Sequence, residues 1–142
     1  MTGYSRVFLD TTPLIYFLDE DEHFGEKTYL ILSELLARQA QLYTSAITCE
    51  EYLVYPYRTG NREKVNAFFE LIDQCHVSIL PIHTQIASIA ARIRAGYQDF
   101  KAMDCLQLAS AMYTNCDVFL TNDKQLRQFQ EIKCVTVEEW QL

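Results

Sequence analysis

The sequence has little of what marks a disordered, secreted or membrane-bound protein. Its 142 residues include only four glycines and three prolines, and 49% of them are hydrophobic, which excludes a low-complexity or disordered chain. The longest apolar runs are far too short to cross a bilayer, and no cationic segment followed by a long apolar one begins at residues 1–6. We therefore expect a soluble, cytoplasmic protein without a membrane partner.

The sequence also lacks the spacing of a zinc site. No two of its five cysteines form a C-x-x-C pair, and its three histidines show neither H-x-x-x-H nor H-E-x-x-H spacing. Three of the cysteines (Cys49, Cys105 and Cys116) lie in apolar stretches, where a reduced thiol packs as a small hydrophobic side chain. We interpret the cysteines as core thiols in a reducing compartment.

Positive charge is scarce. Twelve lysines and arginines stand against nineteen acidic residues, which gives a formal net charge of −7. This balance argues against a protein that coats nucleic acid by bulk electrostatic attraction. It remains compatible with a nuclease that has a local basic patch and binds its own cations.

Short β-like runs alternate with helical patterns along the chain. The predicted strands are residues 7–10, 42–44, 77–80, 118–121 and 134–137. The predicted helices are residues 13–18, 26–39, 47–54 (ended by Pro56 and Gly60), 62–74, 84–95, 101–115 and 124–129. Strands separated by helices pair in parallel through right-handed crossovers. We therefore predict one domain, residues 1–142, with an α/β fold: a three-layer α/β/α sandwich around a central, mainly parallel sheet.

Four acidic residues are predicted to meet at the carboxyl edge of this sheet, where ligands bind in open α/β folds. Asp10 ends the first strand, and Asp123 follows the fourth, which we expect to be its neighbour. Glu51 lies one turn into the helix that leaves the second strand, and Asp104 lies in the first turn of a helix that is otherwise almost entirely apolar. A charge in so apolar a helix needs a partner, because an unpaired buried carboxylate is costly.

Each acid also has an ordinary structural explanation. Asp10 and Asp123 can cap helices, Glu51 can complete a capping box with Thr48, and Asp104 can complement its helix dipole or pair with a lysine one turn earlier. Their convergence favours a functional site, because two carboxylates ~5 Å apart repel by roughly 3 kcal/mol at an effective dielectric near 20. Divalent cations relieve this repulsion, and oxygen-only ligands suit Mg²⁺ or Mn²⁺ better than zinc.

Four segments, in order along nearly the whole chain, resemble the motifs of one protein family. They are FLDTTPLIY at residues 8–16, TSAITCEE at 44–51, KAMDCLQLA at 101–109 and FLTND at 119–123. The first resembles an opening motif with a catalytic aspartate, and the register of the second selects Glu51. The third is similar to a motif in which an aspartate heads an apolar helix, and the fourth to one in which a threonine and then an aspartate follow a strand. The chain thus resembles the PIN-domain family, which includes the toxins of VapBC toxin–antitoxin pairs.

This resemblance implies a PIN-like nuclease domain that acts as a Mg²⁺- or Mn²⁺-dependent endoribonuclease. It implies that Asp10, Glu51, Asp104 and Asp123 are the catalytic and metal-binding residues, and that in-line attack of water leaves a 5′-phosphate and a 3′-hydroxyl. It also implies that the substrate is RNA. A homodimer held inactive by an antitoxin protein is the assembly found among the toxins of this family.

Five further residues are candidates for supporting or substrate-binding roles: Thr11, Thr121, Asn122, Lys101 and Arg58. The threonine hydroxyls and the Asn122 side chain can position a phosphate or fix a carboxylate rotamer, although ordinary hydrogen bonding at strand ends and in loops explains them equally well. Lys101 can contact a phosphate or pair with an acid. Arg58 follows two tyrosines and suits single-stranded RNA, but it also fits an ordinary polar loop.

Two apolar stripes are predicted to belong to the core: Tyr29, Leu32 and Leu36, and Phe68, Phe69 and Ile72. Any part of them that stays exposed would suit a dimer interface or a groove for an antitoxin peptide.

Two other classes of function remain open. A non-catalytic PIN-like module that binds RNA or protein would keep the fold, but it has no use for four crowded acids. A phosphatase with Asp10 as its nucleophile would need a second aspartate two residues later, where Thr12 stands.

Overall fold

A computed structural model of the chain describes residues 3–142. Five strands form one sheet in the order β3-β2-β1-β4-β5, and every neighbouring pair is parallel. The strands are β1 (Arg6–Leu9), β2 (Gln41–Ser45), β3 (Ser78–Leu80), β4 (Val118–Thr121) and β5 (Lys133–Thr136). The parallel pairing that we predicted from the alternation of strands and helices is confirmed.

Among residues 3–142, six α-helices connect the strands, and a short 3₁₀ helix (Lys124–Gln128) follows β4. They are α1 (Thr11–Leu18), α2 (Gly25–Ala37), α3 (Ala46–Thr59), α4 (Arg62–Gln74), α5 (Thr84–Gly96) and α6 (Ala102–Tyr113). Most predicted boundaries differ from these by one or two residues.

The sheet has a hydrophobic core on each face, because successive strand residues point to opposite sides. Phe8 of β1 faces α5 and α6 and stacks on Phe119 of β4 with ring centroids 5.2 Å apart. Val7 and Leu9 face the opposite side, where α1, α2 and α4 pack. The predicted three-layer α/β/α sandwich is therefore confirmed.

The strand order places β1, the first strand, in the middle of the sheet. From β1 the chain runs outward through β2 to β3, and it then returns to add β4 on the other side of β1. The prediction that the first and fourth strands are neighbours is confirmed. Ligands of open α/β folds bind at such a reversal, outside the carboxyl ends of the strands. The backbone N–H of Asp10 donates to the carbonyl of Leu120 at 2.9 Å, which aligns the ends of β1 and β4.

The predicted end of the third helix at residue 54 is wrong. Helix α3 continues through Pro56 and ends at Gly60, whose positive φ of 68° suits a glycine after a helix. Proline removes one backbone donor, but it keeps its carbonyl, which accepts a hydrogen bond from the backbone N–H of Gly60, so the helix continues past it.

The two apolar stripes are only partly buried. Leu32 and Phe68 lie in the core as predicted, but the prediction is wrong for Tyr29, Leu36 and Phe69, which are exposed. Periodicity identifies the face of a helix that can be buried, whereas neighbouring elements decide how much of it is covered.

The described cysteines are all free, and all but the half-buried Cys49 are buried. Within residues 3–142, no helix is both long enough and apolar enough to cross a membrane.

Candidate active site

Asp10 lies at the floor of the site and is only 8% exposed. Because it follows β1 and caps α1, its Oδ1 accepts a hydrogen bond from the backbone N–H of Thr11 at 2.9 Å. Its Oδ2 accepts one from the hydroxyl of Thr121, at the end of β4, at 2.8 Å. These contacts from two elements fix the orientation of the carboxylate.

Burial raises the pKa of Asp10 from 3.8 to about 6. The hydrogen bonds from Thr121 and Thr11 act in the opposite direction, because they stabilise the ionised form. The negative charges of Asp104 and Glu51 make smaller upward contributions, which are included in this pKa of about 6. Asp10 is therefore a buried carboxyl group whose ionised form lacks a compensating cation.

Glu51 does not belong to a capping box. The N-cap of α3 is Ser45, whose hydroxyl accepts a hydrogen bond from the backbone N–H of Ile47 at 3.1 Å, so the helix begins before Thr48. Glu51 consequently lies in the second turn, and its Oε1 accepts a hydrogen bond from the hydroxyl of Thr11 at 2.6 Å. The capping-box explanation for Glu51 is wrong, because a closer residue caps the helix.

Asp104 and Asp123 are the other two acids of the site. Burial raises the pKa of Asp104, the charges of Asp123 and Glu51 raise it further, and Lys101 lowers it. None of the ion pairs found in the described part of the chain joins Lys101 to Asp104. Asp123 begins the 3₁₀ helix, and its Oδ1 accepts a hydrogen bond from the backbone N–H of Gln125 at 3.0 Å.

The four acids line one cavity of about 330 Å³ at the carboxyl edge of the sheet. Its lining residues are Asp10, Thr11, Thr12, Glu51, Lys101, Ala102, Met103, Asp104 and Asp123. Four elements supply the acids, and Lys101 is the one cation in this lining. Thr12 and Met103 were not predicted to line the cavity, because their residue types alone give no signal for such a position.

The remaining candidates lie outside this lining. Thr121 lies beneath it, where its hydroxyl donates to Asp10 and accepts a hydrogen bond from the backbone N–H of Asp123 at 3.0 Å. The side-chain amide of Asn122 donates to the hydroxyl of Tyr16 instead. Arg58 is exposed in the last turn of α3.

The donors around the cavity fit a hard divalent cation in chemistry and in charge. They are oxygen atoms, which Mg²⁺ and Mn²⁺ prefer, and the pKa values of Asp10 and Asp104 are raised chiefly by burial and also by the neighbouring acids. However, no group of three or more His, Cys, Asp or Glu side chains among residues 3–142 is arranged to hold a metal ion. The carboxylates share the cavity without converging, which is consistent with their mutual repulsion.

A buried layer of polar side chains beneath the cavity was also missed. Gln107 of α6 contacts Ser45 and Thr48 at the start of α3. One signal was available: Gln107 is an amide in the apolar helix that Asp104 heads, and a buried amide requires hydrogen-bonding partners.

A family model described as "PIN domain" matches residues 7–132. The chain belongs to the PIN-domain family. The resemblance inferred from the four motifs is thereby confirmed. None of the curated proteins is a significant match to this PIN-domain chain.

Several solved structures of toxin–antitoxin proteins share this fold. VapBC2 from Rickettsia felis, bound to a promoter DNA fragment, matches with a TM-score of 0.75 and 16% identity over 92% of this chain and 98% of that one. VapBC-1 from nontypeable Haemophilus influenzae matches with a TM-score of 0.72 and 18% identity over 94% of this chain and 98% of that one. VapC20 from Mycobacterium tuberculosis, a toxin that cleaves the sarcin–ricin loop, matches with a TM-score of 0.64 and 16% identity over 89% of this chain and 98% of that one. At these identities the matches show a shared fold.

Proposed function

We propose that this PIN-domain protein is a metal-dependent endoribonuclease that hydrolyses RNA phosphodiester bonds. One observation carries the proposal: Asp10, Glu51, Asp104 and Asp123, from four separate elements, line one cavity at the carboxyl edge of the sheet. A scaffold or binding module gains nothing from crowding negative charge in this way, because the repulsion opposes folding. The fold shared with a toxin that cleaves the sarcin–ricin loop supports the same assignment.

Asp10 and Asp104 would hold a Mg²⁺ or Mn²⁺ ion, directly or through water. Glu51 would complete the ligand set, and Asp123 would orient the attacking water or help to hold a second ion. When bound, such an ion acts as a Lewis acid that activates water and neutralises charge on the phosphate oxygens. Thr121 and Thr11 support this set, because their hydroxyls hold the Asp10 and Glu51 carboxylates.

The chain also has groups suited to a single-stranded RNA. Lys101 lines the cavity beside the acids, where its ammonium can pair with a phosphate. Tyr55 and Arg58 lie one and two turns after Glu51 on the same side of α3, and both are exposed. An aromatic ring and a guanidinium leading away from the cavity suit base stacking and a backbone phosphate contact.

The proposed role includes a protein partner. The matched VapBC structures are toxin–antitoxin complexes, and this chain exposes apolar side chains such as Tyr29 and Leu36 on α2 and Phe69 on α4. We propose that this chain is the toxin of such a pair, that it forms a homodimer and that it binds an antitoxin. It would act in the cytoplasm, where free thiols stay reduced.

The test is incubation of the purified protein with total cellular RNA in Mg²⁺, Mn²⁺ or EDTA. We expect discrete cleavage that requires metal. Asp10→Asn should reduce the cleavage rate by more than the roughly 10- to 100-fold typical of residues that only support a metal ligand. Asp73→Asn, which changes an exposed acid at the end of α4, is the matched control and should cleave like the wild type.

The ends of the RNA products test the proposed reaction. Mapping of the ends should find a 5′-phosphate and a 3′-hydroxyl, and a 2′,3′-cyclic phosphate would contradict the proposed hydrolysis. A folded protein that cleaves no RNA with any metal would favour the non-catalytic binding module.

A further inference from the structure

Gln107 is a buried amide with a hydrogen-bonding partner at each end. It is only 1% exposed and lies in α6, one turn after Asp104. Its Oε1 accepts a hydrogen bond from the hydroxyl of Ser45 at 2.5 Å, and its Nε2 donates to the hydroxyl of Thr48 at 2.7 Å. Because both partners belong to the start of α3, these two contacts fix the plane of the amide between α6 and α3.

The same amide faces the floor of the cavity. Its Nε2 lies 3.4 Å from Asp10 Oδ1 and 3.4 Å from the hydroxyl oxygen of Thr11. Both contacts are long, so each alone is weak. Together they direct the second N–H of Gln107 at one carboxylate of the site and at the hydroxyl that donates to Glu51 at 2.6 Å.

The hydroxyl of Thr48 connects this amide to the rest of the layer. It lies 2.8 Å from the Thr44 hydroxyl and 3.0 Å from the Thr11 hydroxyl, and the Thr44 hydroxyl also lies 2.8 Å from the carbonyl oxygen of Leu9. The Thr44 hydroxyl is the donor in its contacts with Leu9 O and with the Thr48 hydroxyl, so the Thr48 proton is available for the Thr11 hydroxyl oxygen. The proton of Thr11 is then left for Glu51. Gln107 Nε2 fits this arrangement of protons, because the Thr48 hydroxyl oxygen still has a lone pair that can accept a hydrogen bond from it.

We propose that Gln107 is a positioning residue that holds Asp10, and through Thr11 also Glu51, in the orientation in which they bind the divalent cation; this rests on the proposed nuclease function. Gln107 contacts neither the ion nor the RNA and acts through the carboxylates. A neutral amide suits the position, because a carboxylate would add charge beside Asp10. An aliphatic side chain would leave the Ser45 and Thr48 hydroxyls without their shared partner.

The experiment compares the Mn²⁺ affinity of the wild type, Gln107→Met and Ser110→Ala by isothermal titration calorimetry on metal-free protein. Methionine is close to glutamine in size but lacks its donors, so we expect Mn²⁺ binding to weaken roughly 10- to 100-fold, as is typical when support for a metal ligand is lost. Ser110 is the matched control, because it is a buried polar residue one turn later in α6 whose hydroxyl donates within the helix, to Leu106 O at 2.8 Å. The Mn²⁺ affinity of Ser110→Ala should equal that of the wild type.

Cleavage kinetics separate positioning from general damage. We expect Gln107→Met to recover RNA cleavage as Mn²⁺ is raised to saturation, with an unchanged KM for RNA, because the ligands remain in place and only their orientation is loosened. Loss of cleavage that saturating Mn²⁺ does not restore, in a folded variant, would overturn the positioning role.

The two proposals fail in distinguishable ways. A wild type that neither binds Mn²⁺ nor cleaves RNA would overturn the nuclease function and the role of Gln107 with it. A wild type that does both, beside a folded Gln107→Met of equal Mn²⁺ affinity, would overturn the role of Gln107 alone. If Gln107→Met does not fold, Thr48→Val removes the hydroxyl that accepts from the amide; weaker Mn²⁺ binding would support the proposal, and unchanged binding would overturn it.

Discussion

Asp10 uses one carboxylate both for the fold and for the site. The ordinary explanation of Asp10 as a helix cap is borne out, because it accepts the backbone N–H of Thr11. A cap does not need to be buried, however, and a serine or an asparagine would serve equally well. Burial of an ionised aspartate that lacks a neutralising cation destabilises the fold, and the pKa of Asp10 is raised for this reason.

This penalty makes stability depend on pH in a definite direction. The pKa of Asp10 is about 6 in the folded protein and 3.8 when the group is unperturbed, so the folded state binds a proton more tightly than the unfolded chain. The resulting stabilisation is fully present below pH 3.8 and is lost as the pH rises through 6. Lowering the pH from 8 to 5 should therefore stabilise the wild type by roughly 1 kcal/mol more than Asp10→Asn, which cannot bind this proton.

Urea unfolding in EDTA at pH 5 and pH 8 measures the effect. Asp73→Asn, at an exposed position on α4, should show the pH response of the wild type. A response of Asp10→Asn that equals the wild-type response would mean that Asp10 titrates normally.

At the scale of elements, the strands and helices were largely predictable because their signals are local. Apolar runs and helical periodicity lie within a single segment, and the placement of Asp10 and Asp123 follows from the rule that parallel strands end at one edge. Glu51 and Asp104 were identified from their positions in helices and from the family motifs. Helix α3 shows where local signals fail. Pro56 predicted an end that did not occur, because proline lacks only its own N–H and its carbonyl still accepts a hydrogen bond from Gly60 at the end of the helix.

The polar layer beneath the cavity could not be predicted in the same way. Gln107 lies 62 residues from Ser45 and 59 from Thr48 along the chain, so their contacts depend on how α6 is rotated against α3. The sequence shows that a buried amide needs partners, but many serines and threonines could supply them. The metal-binding and catalytic roles of the four acids stay predictions.

The end of α3 provides a test at this scale. Gly60 has a φ of 68°, and an added Cβ would meet nothing within 4 Å, so Gly60→Ala tests the backbone conformation alone. A non-glycine residue in this left-handed region costs about 1 kcal/mol, and we expect urea unfolding to show this loss of stability. Gly96→Ala is the matched control, because a Cβ there also meets nothing within 4 Å and Gly96 lacks a positive φ. Equal effects of the two substitutions would contradict this account of the helix end.

At the scale of the whole molecule, two effects of added cations must be separated. The chain has a formal net charge of −7, so any salt weakens its general repulsion. The cavity has its own imbalance, with four acids beside the single cation Lys101. Screening depends on ionic strength, whereas binding at the cavity depends on the identity of the ion and on the carboxylates that hold it.

We therefore expect Mg²⁺ or Mn²⁺ to raise the thermal unfolding midpoint of the wild type more than NaCl at the same ionic strength. An ion at 100 times its Kd that binds only the folded state adds about 2.7 kcal/mol of stability. Asp104→Asn should lose this divalent-specific part and keep the response to NaCl, because it removes one ligand and little of the total charge. Asp73→Asn removes the same charge far from the cavity and should keep both responses. If MgCl₂ and NaCl act equally at matched ionic strength, cations only screen this protein, and the four carboxylates form no metal site.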